Sequence, residues 1–130
     1  MSPENVEKLR RAYLAFNRGD FDAAIEIAHP EIEFARAGGQ GPVRGAEAFR
    51  EWMEPDALED LRMEPLEFRS NGNKVLVRQR SRARGVGSGI ELDIEAWAVW
   101  TLNENGLATR LEGFLAHERS EALEAAGLRD

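Results

Sequence analysis

A chain of 130 residues with 17 Lys plus Arg against 24 Asp plus Glu, a net charge of −7, has the length of one domain and a globular composition. The acidic balance argues against a phosphate backbone as partner, the lack of cysteine removes disulfides, thiolate catalysis and cysteine-ligated zinc, and no apolar run reaches the roughly 18 residues of a membrane span. The start Met1-Ser2-Pro3-Glu4-Asn5 lacks the basic and apolar stretches of a signal peptide, so a single domain over 1–130 in the cytoplasm is expected.

Ser2 before Pro3 and Glu4 opens a helix in which Val6, Leu9, Tyr13 and Phe16 recur at helical spacing. Gly19 stops it, and Asp20 caps a second helix with Phe21, Ala24, Ile25 and Ala28 on its apolar side. His29-Pro30 ends that helix, with His29 in a capping role. Residues 31–36 alternate as a strand, Gly38-Gly39-Gln40-Gly41-Pro42 forms a loop, and a third helix after Gly45 places Ala46, Phe49, Trp52 and Met53 on one side before Pro55.

From about residue 61 the hydrophobic period falls to two and the punctuation becomes that of hairpins. Asn71-Gly72 is a two-residue turn that sets Ser70 opposite Asn73. The reversal at 85–89 sets Arg84, Arg82 and Arg80 opposite Glu91, Asp93 and Glu95, and the one at 103–106 sets Leu102 opposite Leu107. Alternation then assigns the rows Leu66-Val77-Ala98-Leu111, Phe68-Val75-Trp100-Thr109, Ser81-Ile94-Leu115 and Glu64-Gln79-Ala96-Gly113 to a face covered by helices. The opposite face carries the Arg/acid ladder and Leu76, Trp97, Val99 and Phe114, a patch read as a homodimer surface.

Candidate site residues follow from this layout. In the row Glu64-Gln79-Ala96-Gly113 two small residues leave volume and two polar groups point into an apolar face, which makes Glu64 a candidate general base and Gln79 a candidate ligand partner. Ala98 joins Ala96 and Gly113 as lining. His117 extends the inward parity of Leu111, Gly113 and Leu115 and brings an imidazole suited to acid/base chemistry to the mouth, with a solvated histidine as the alternative. Arg36, continuing Ile32 and Phe34, offers a cation to a carboxylate or enolate, or else pairs at the surface. Tyr13, Trp52 and Trp100 form an aromatic slot for a flat apolar ligand, or serve as ordinary core. His117-Glu118-Arg119-Ser120-Glu121 lacks the second histidine of a zinc motif, and Gly85, Gly87 and Gly89 open no helix, so no metal, nucleotide or other cofactor is expected.

The segments Phe16-Asn17-Arg18-Gly19-Asp20-Phe21-Asp22, His29-Pro30-Glu31-Ile32-Glu33-Phe34 and Arg44-Gly45, the Val99-Trp100 to Gly106 hairpin and the terminal Glu121-Ala122-Leu123-Glu124-Ala125-Ala126-Gly127-Leu128 together resemble the nuclear transport factor two-like superfamily, in its ketosteroid isomerase-like or SnoaL-like branch. The resemblance spans nearly the whole chain. It implies an α+β, cystatin-like cone: three N-terminal helices packed on a curved, mainly antiparallel β-sheet, with a short C-terminal helix. It implies no single reaction, because isomerases, cyclases, dehydratases, epoxide hydrolases and non-catalytic binding domains share that fold. The isomerase-type base falls at Arg36 and its protonated acid near Ala98, so both carboxylates are missing; a cyclase-type histidine or aspartate has its counterpart in His117. The expected function is a cone that binds an apolar small molecule, with proton transfer on a carbonyl compound as the enzymatic form. A non-catalytic binding or homodimeric interaction domain is the alternative, with neither nucleic acid nor membrane as partner.

Overall fold

The change of hydrophobic period divides the chain into helices first and a sheet after. The computed structural model describes residues 2–37 and 41–129. Helix α1 (Ser2–Asn17) buries Leu9, Tyr13 and Phe16, the stripe its spacing predicts. Asp20 caps α2 (Phe21–Ile25) by accepting the Ala23 N–H at 3.1 Å. That helix is shorter than its pattern suggests, because Ala28, His29 and Pro30 already belong to strand β1 (Ala28–Ala35). Pairing of Ala28 with Ala108 overrides the helical spacing, so His29 caps no helix and its Nδ1 instead accepts the Glu31 N–H at 3.0 Å. Strand β2 (Val43–Arg44) and helix α3 (Ala46–Met53) follow; Gly38, Gly39 and Gln40 of the expected loop lie outside the described residues.

Strands β3 (Leu58–Asn71), β4 (Lys74–Gly85), β5 (Glu91–Leu102) and β6 (Ala108–Leu115) complete a sheet in the order β2-β1-β6-β5-β4-β3, antiparallel except for β1 beside β6. Helices α1 to α3 cover one face around a core that includes Leu9, Tyr13, Ile32, Phe34, Phe49, Val75, Val77 and Trp100. The expected curved α+β cone is the observed fold.

Register is where the sequence reading needs correction. Between β4 and β5 it stands as expected, with Arg84, Arg82 and Arg80 opposite Glu91, Asp93 and Glu95. In the first hairpin Asn71 faces Lys74 and Ser70 faces Val75, so the turn is Gly72-Asn73. Gly72 at φ 61° supplies the positive φ as the leading turn residue. Asn71 is thereby free to donate its side-chain N–H groups to the carbonyls of Ala126 at 3.0 Å and Gly127 at 2.9 Å. The β5–β6 pairing is also offset from expectation: Trp100 faces Leu111 and Ala98 faces Gly113, with a bulge between Thr101 and Leu102. Offsets of two preserve which face each side chain occupies; a bulge of one does not. Such a bulge lies between Pro65 and Glu67, and beyond it Glu64 is opposite Arg80 on the outer face, not opposite Gln79.

The outer face divides into a charged part and an apolar part. The arginines of β4 reach diagonally: Arg80 pairs with Asp93 at 2.5 Å, Arg78 with Glu95 at 3.2 Å, Arg82 with Glu64 at 3.7 Å, and Arg84 with Asp60. Arg78 and Arg84 also reach the acids directly opposite on β3, Glu67 at 3.4 Å and Glu59 at 3.6 Å. The hydrogen-bonded Arg80 guanidinium holds the Asp93 carboxyl below its ordinary range.

Leu76, Trp97 and Val99 form no free patch. Helix α4 (Arg119–Ala126) lies over them through Ala122, Leu123 and Ala126, leaving Leu76 1%, Trp97 8% and Val99 0% exposed, with Phe114 packed alongside. Lys74 and Asn71 donate to the last carbonyls of α4, and Gly127 at φ 70° terminates it, so the helix end is satisfied in place. The expectation of a homodimer through Leu76, Trp97, Val99 and Phe114 is therefore corrected: the chain covers that surface itself. Among the described residues no helix is long and apolar enough to cross a membrane. Replacing Leu123 by Ala should remove the centre of this cover and cost about 2–4 kcal/mol in urea unfolding; a loss under about 0.5 kcal/mol would show that α4 is not needed to seal the face.

Candidate functional site

Small residues on the concave face leave room that the helices do not fill. Ala96 and Ala98 on β5 and Gly113 on β6 line a cavity of about 420 Å³ together with residues of α1 and α3. Tyr13, Arg36, Trp52, Gln79, Ala96, Ala98, Trp100 and Gly113 all line it. Gly113 is required by a close approach as well as by volume, since a Cβ there would lie 2.6 Å from the Ala37 backbone nitrogen. The segment after β1 can thus fold across β6 and bring Ala35, Arg36 and Ala37 to the cavity.

The polar centre is a chain of three side chains. Trp100 donates its indole N–H to the Tyr13 hydroxyl at 3.2 Å, and that hydroxyl donates to Gln79 Oε1 at 2.6 Å. Because indole is only a donor, the phenol must act as acceptor toward Trp100 and is left to donate toward Gln79, which fixes the amide orientation. Gln79 Nε2 then faces the Met63 sulfur at 3.9 Å, a soft and distant acceptor. Gln79 thus has its amide oxygen engaged by Tyr13 and its nitrogen set against a thioether in the cavity lining. Burial pushes the Tyr13 phenol up from its ordinary value, with the Trp100 hydrogen bond opposing weakly, so the group stays neutral across the physiological range.

Around this centre the walls are aromatic. Phe49 and Trp52 stack with centroids 5.5 Å apart at 26°, Phe34 meets Phe49 at 5.1 Å, and Trp100 meets Tyr13 edge-on at 6.2 Å. Asn17, the last residue of α1, fixes the helix against β3 by donating to the Met63 carbonyl and accepting the Met63 N–H, both at 2.8 Å. Among the described residues the ionisable side chains of the lining are Tyr13 and Arg36, and no cluster of His, Cys, Asp and Glu is placed to hold a metal ion.

Two candidates stand elsewhere. Glu64 is turned outward by the bulge, exposed, and paired with Arg82. His117 is exposed in the turn after β6, which ends at Leu115, so the inward parity stops before reaching it. Phe34 and Phe49 belong to the lining although their spacing marked them only as strand and helix stripe, and Met63 of β3 lines it as well. Their signal lay in the inward alternation of Ile32 and Phe34 and in the α3 stripe.

The chain belongs to the SnoaL-like domain family, whose model matches residues 9–111. No curated protein sequence matches it. It is similar in structure to the epoxide hydrolase/cyclase-like enzyme SalBIII of pyran ring formation in the polyether salinomycin, with 20% identity over 89% of this chain and 93% of that one, at a TM-score of 0.79. A putative polyketide cyclase from Xanthomonas campestris pv. campestris gives 18% identity over 89% and 93% of the two chains, at a TM-score of 0.76. A Mycobacterium tuberculosis protein in complex with estradiol-17beta-hemisuccinate gives 10% identity over 87% and 94%, at a TM-score of 0.72. These likenesses are of fold.

The Tyr13 phenol makes one property of the site measurable, because the chain holds a single tyrosine. Its proton is held more tightly folded than unfolded, so its contribution to stability is complete below about pH 10 and declines as pH rises toward the folded value. Wild type should lose up to about 1.4 kcal/mol per pH unit above pH 10 relative to Tyr13→Phe in urea unfolding. Parallel alkaline profiles for the two proteins would show that the phenol is not held neutral by the fold.

Proposed function

We propose that this protein is a binding cone for a flat apolar molecule carrying a carbonyl oxygen, held by the Gln79 amide within the aromatic walls. The observation that carries the reading is the open Nε2 donor of Gln79, fixed in orientation by Tyr13 and Trp100 inside an otherwise apolar cavity. A half-buried amide donor whose protein acceptor is the Met63 thioether at 3.9 Å favours a ligand oxygen, which accepts a hydrogen bond more strongly than sulfur does. Arg36 provides the one cation in the described lining and complements an acidic or enolic substituent near the mouth. The complex of the Mycobacterium tuberculosis relative with estradiol-17beta-hemisuccinate is in keeping with a polycyclic ligand.

The binding reading is favoured over proton transfer by the lining itself. A general base must come within hydrogen-bond reach of the proton it removes. Glu64 and His117 stand outside the cavity, the phenol of Tyr13 is held neutral, and a guanidinium is not a base at neutral pH. The binding reading assigns Tyr13 to orienting Gln79 and gives Ala96, Ala98 and Gly113 the task of leaving room.

The test compares acetylnaphthalene with ethylnaphthalene, which share a ring body and differ in the carbonyl. Wild type should bind the ketone more tightly, and Gln79→Met should weaken the ketone by about tenfold while leaving the hydrocarbon unchanged. Ala96→Trp should fill the cavity and abolish binding of both, with the fold retained by circular dichroism. Equal affinity for ketone and hydrocarbon in wild type, or undiminished binding in folded Ala96→Trp, would overturn the assignment.

A further inference from the structure

The cavity is not closed at the end of the β4–β5 hairpin, and the side chains there follow a regular pattern. Going outward from the Gln79–Ala96 pair, the concave face carries Ser81 opposite Ile94 and then Ala83 opposite Leu92. Small residues lie on β4 and branched aliphatics on β5. Gly85 and Ile90 continue the pattern past the last ladder pair, joined by the Gly85 N–H to the Ile90 carbonyl at 2.8 Å. On the other side of β4, Met63 is opposite Ser81 and Leu58 opposite Gly85. Side-chain alternation keeps Ile94 and Leu92 on the same face as Ala96, Ala98 and Trp100.

A row of small residues flanked by two rows of large ones is a trough. Ile94 is 51%, Leu92 37% and Ile90 65% exposed, whereas Ala83 on the floor is 8% exposed. The trough adjoins the cavity: Met63, Ser81, Ile94 and Leu58 at its inner end line the same cavity as Tyr13 and Gln79, and Ala83, Leu92 and Ile90 lie beyond that lining. An apolar surface continuous with a binding cavity is costly to leave in water, and the charged side chains of these strands are directed to the opposite face by the Arg80–Asp93 and Arg82–Glu64 pairs.

We infer that the ligand of this cone carries an aliphatic chain that leaves the cavity beside Ile94 and lies along the hairpin trough over Ser81 and Ala83. This rests on the binding reading above and narrows its ligand class, from flat carbonyl compounds in general to those bearing an alkyl substituent. From the Ala96 row to the Leu92 row the trough runs about 14 Å, the length of a chain of about ten methylenes. Each methylene taken out of water there should strengthen binding about two- to fourfold, the larger value for full burial.

The experiment uses naphthyl alkyl ketones of increasing chain length, with the dissociation constant read from quenching of tryptophan fluorescence. Wild-type affinity should rise with each methylene and level off once the chain passes Leu92. The variant Leu92→Ser/Ile90→Ser alters two exposed positions outside the cavity lining and should flatten that rise while binding acetylnaphthalene as wild type does. Wild type that binds acetylnaphthalene but gains nothing with chain length would overturn the trough and leave the cone intact. An undiminished rise in the double variant would overturn it too. If the double variant instead lowers the sedimentation mass of an oligomeric wild type with the chain-length response unaltered, a second copy covers the trough and the inference fails. Failure of acetylnaphthalene itself to bind would remove the cone reading and this inference together.

Discussion

A phenol buried in an apolar core has to satisfy its hydroxyl, and most of the functional geometry of this protein depends on how Tyr13 does so. The hydroxyl is reached from one side by the indole of Trp100 and reaches Gln79 on the other, so one atom ties α1 to β5 and β4. The bridge acts together with apolar packing, the Asn17–Met63 clamp, the Lys8 hydrogen bond to the Asn105 carbonyl and Arg10 over the Phe68 ring to set the position of the first helix over the sheet. The same bridge engages the amide oxygen of Gln79 and leaves its nitrogen against the Met63 sulfur in the cavity lining, so the proposed recognition rests on an element of folding. Deprotonation would place a charge where the fold supplies a single compensating donor, which is why burial dominates the phenol's titration.

The second constraint is volume. A sheet that packs helices on one face would normally fill the interface with branched side chains. Here Ala96, Ala98 and Gly113 break that rule along neighbouring strands, and the segment at Ala35–Ala37 closes over Gly113 at a distance that excludes any Cβ. The space gained is bounded by the Phe34, Phe49 and Trp52 rings, whose contacts with one another hold the walls apart. Aromatic walls and one oriented amide are the features on which the proposed selection by shape and by a single acceptor rests.

On the other side of the sheet the chain solves two exposure problems separately. The apolar stretch at Leu76, Trp97 and Val99 is covered by α4, anchored at its end by Asn71 and Lys74 from the neighbouring hairpin. The stretch beyond it is made soluble by alternating arginines and carboxylates, each arginine of β4 from Arg78 to Arg84 having an acid within reach. What looks in sequence like a basic edge is thus neutralised on the surface, in accord with the acidic balance of the whole chain.

Much of this was legible in the residues alone. Helical spacing placed Leu9, Tyr13 and Phe16 on a buried stripe, and the charges of β4 and β5 set that register correctly, because opposite charge and strict alternation act between near neighbours. The small residues Ala96 and Gly113 marked a place where the apolar face leaves volume, although Gly113 is also required by the close approach of the Ala37 backbone, which the sequence does not show. What sequence could not decide were events of a single residue. A bulge after Pro65 turned Glu64 from the cone to the surface, and the strand ended at Leu115 before the parity could carry His117 inward. The turn lies one position on, at Gly72-Asn73, and Asn71 at the strand end donates to the last carbonyls of α4. Local pattern fixes which side a residue prefers; bulges, strand ends and the docking of a distant helix are settled by long-range contacts, and those existed only once the chain was folded.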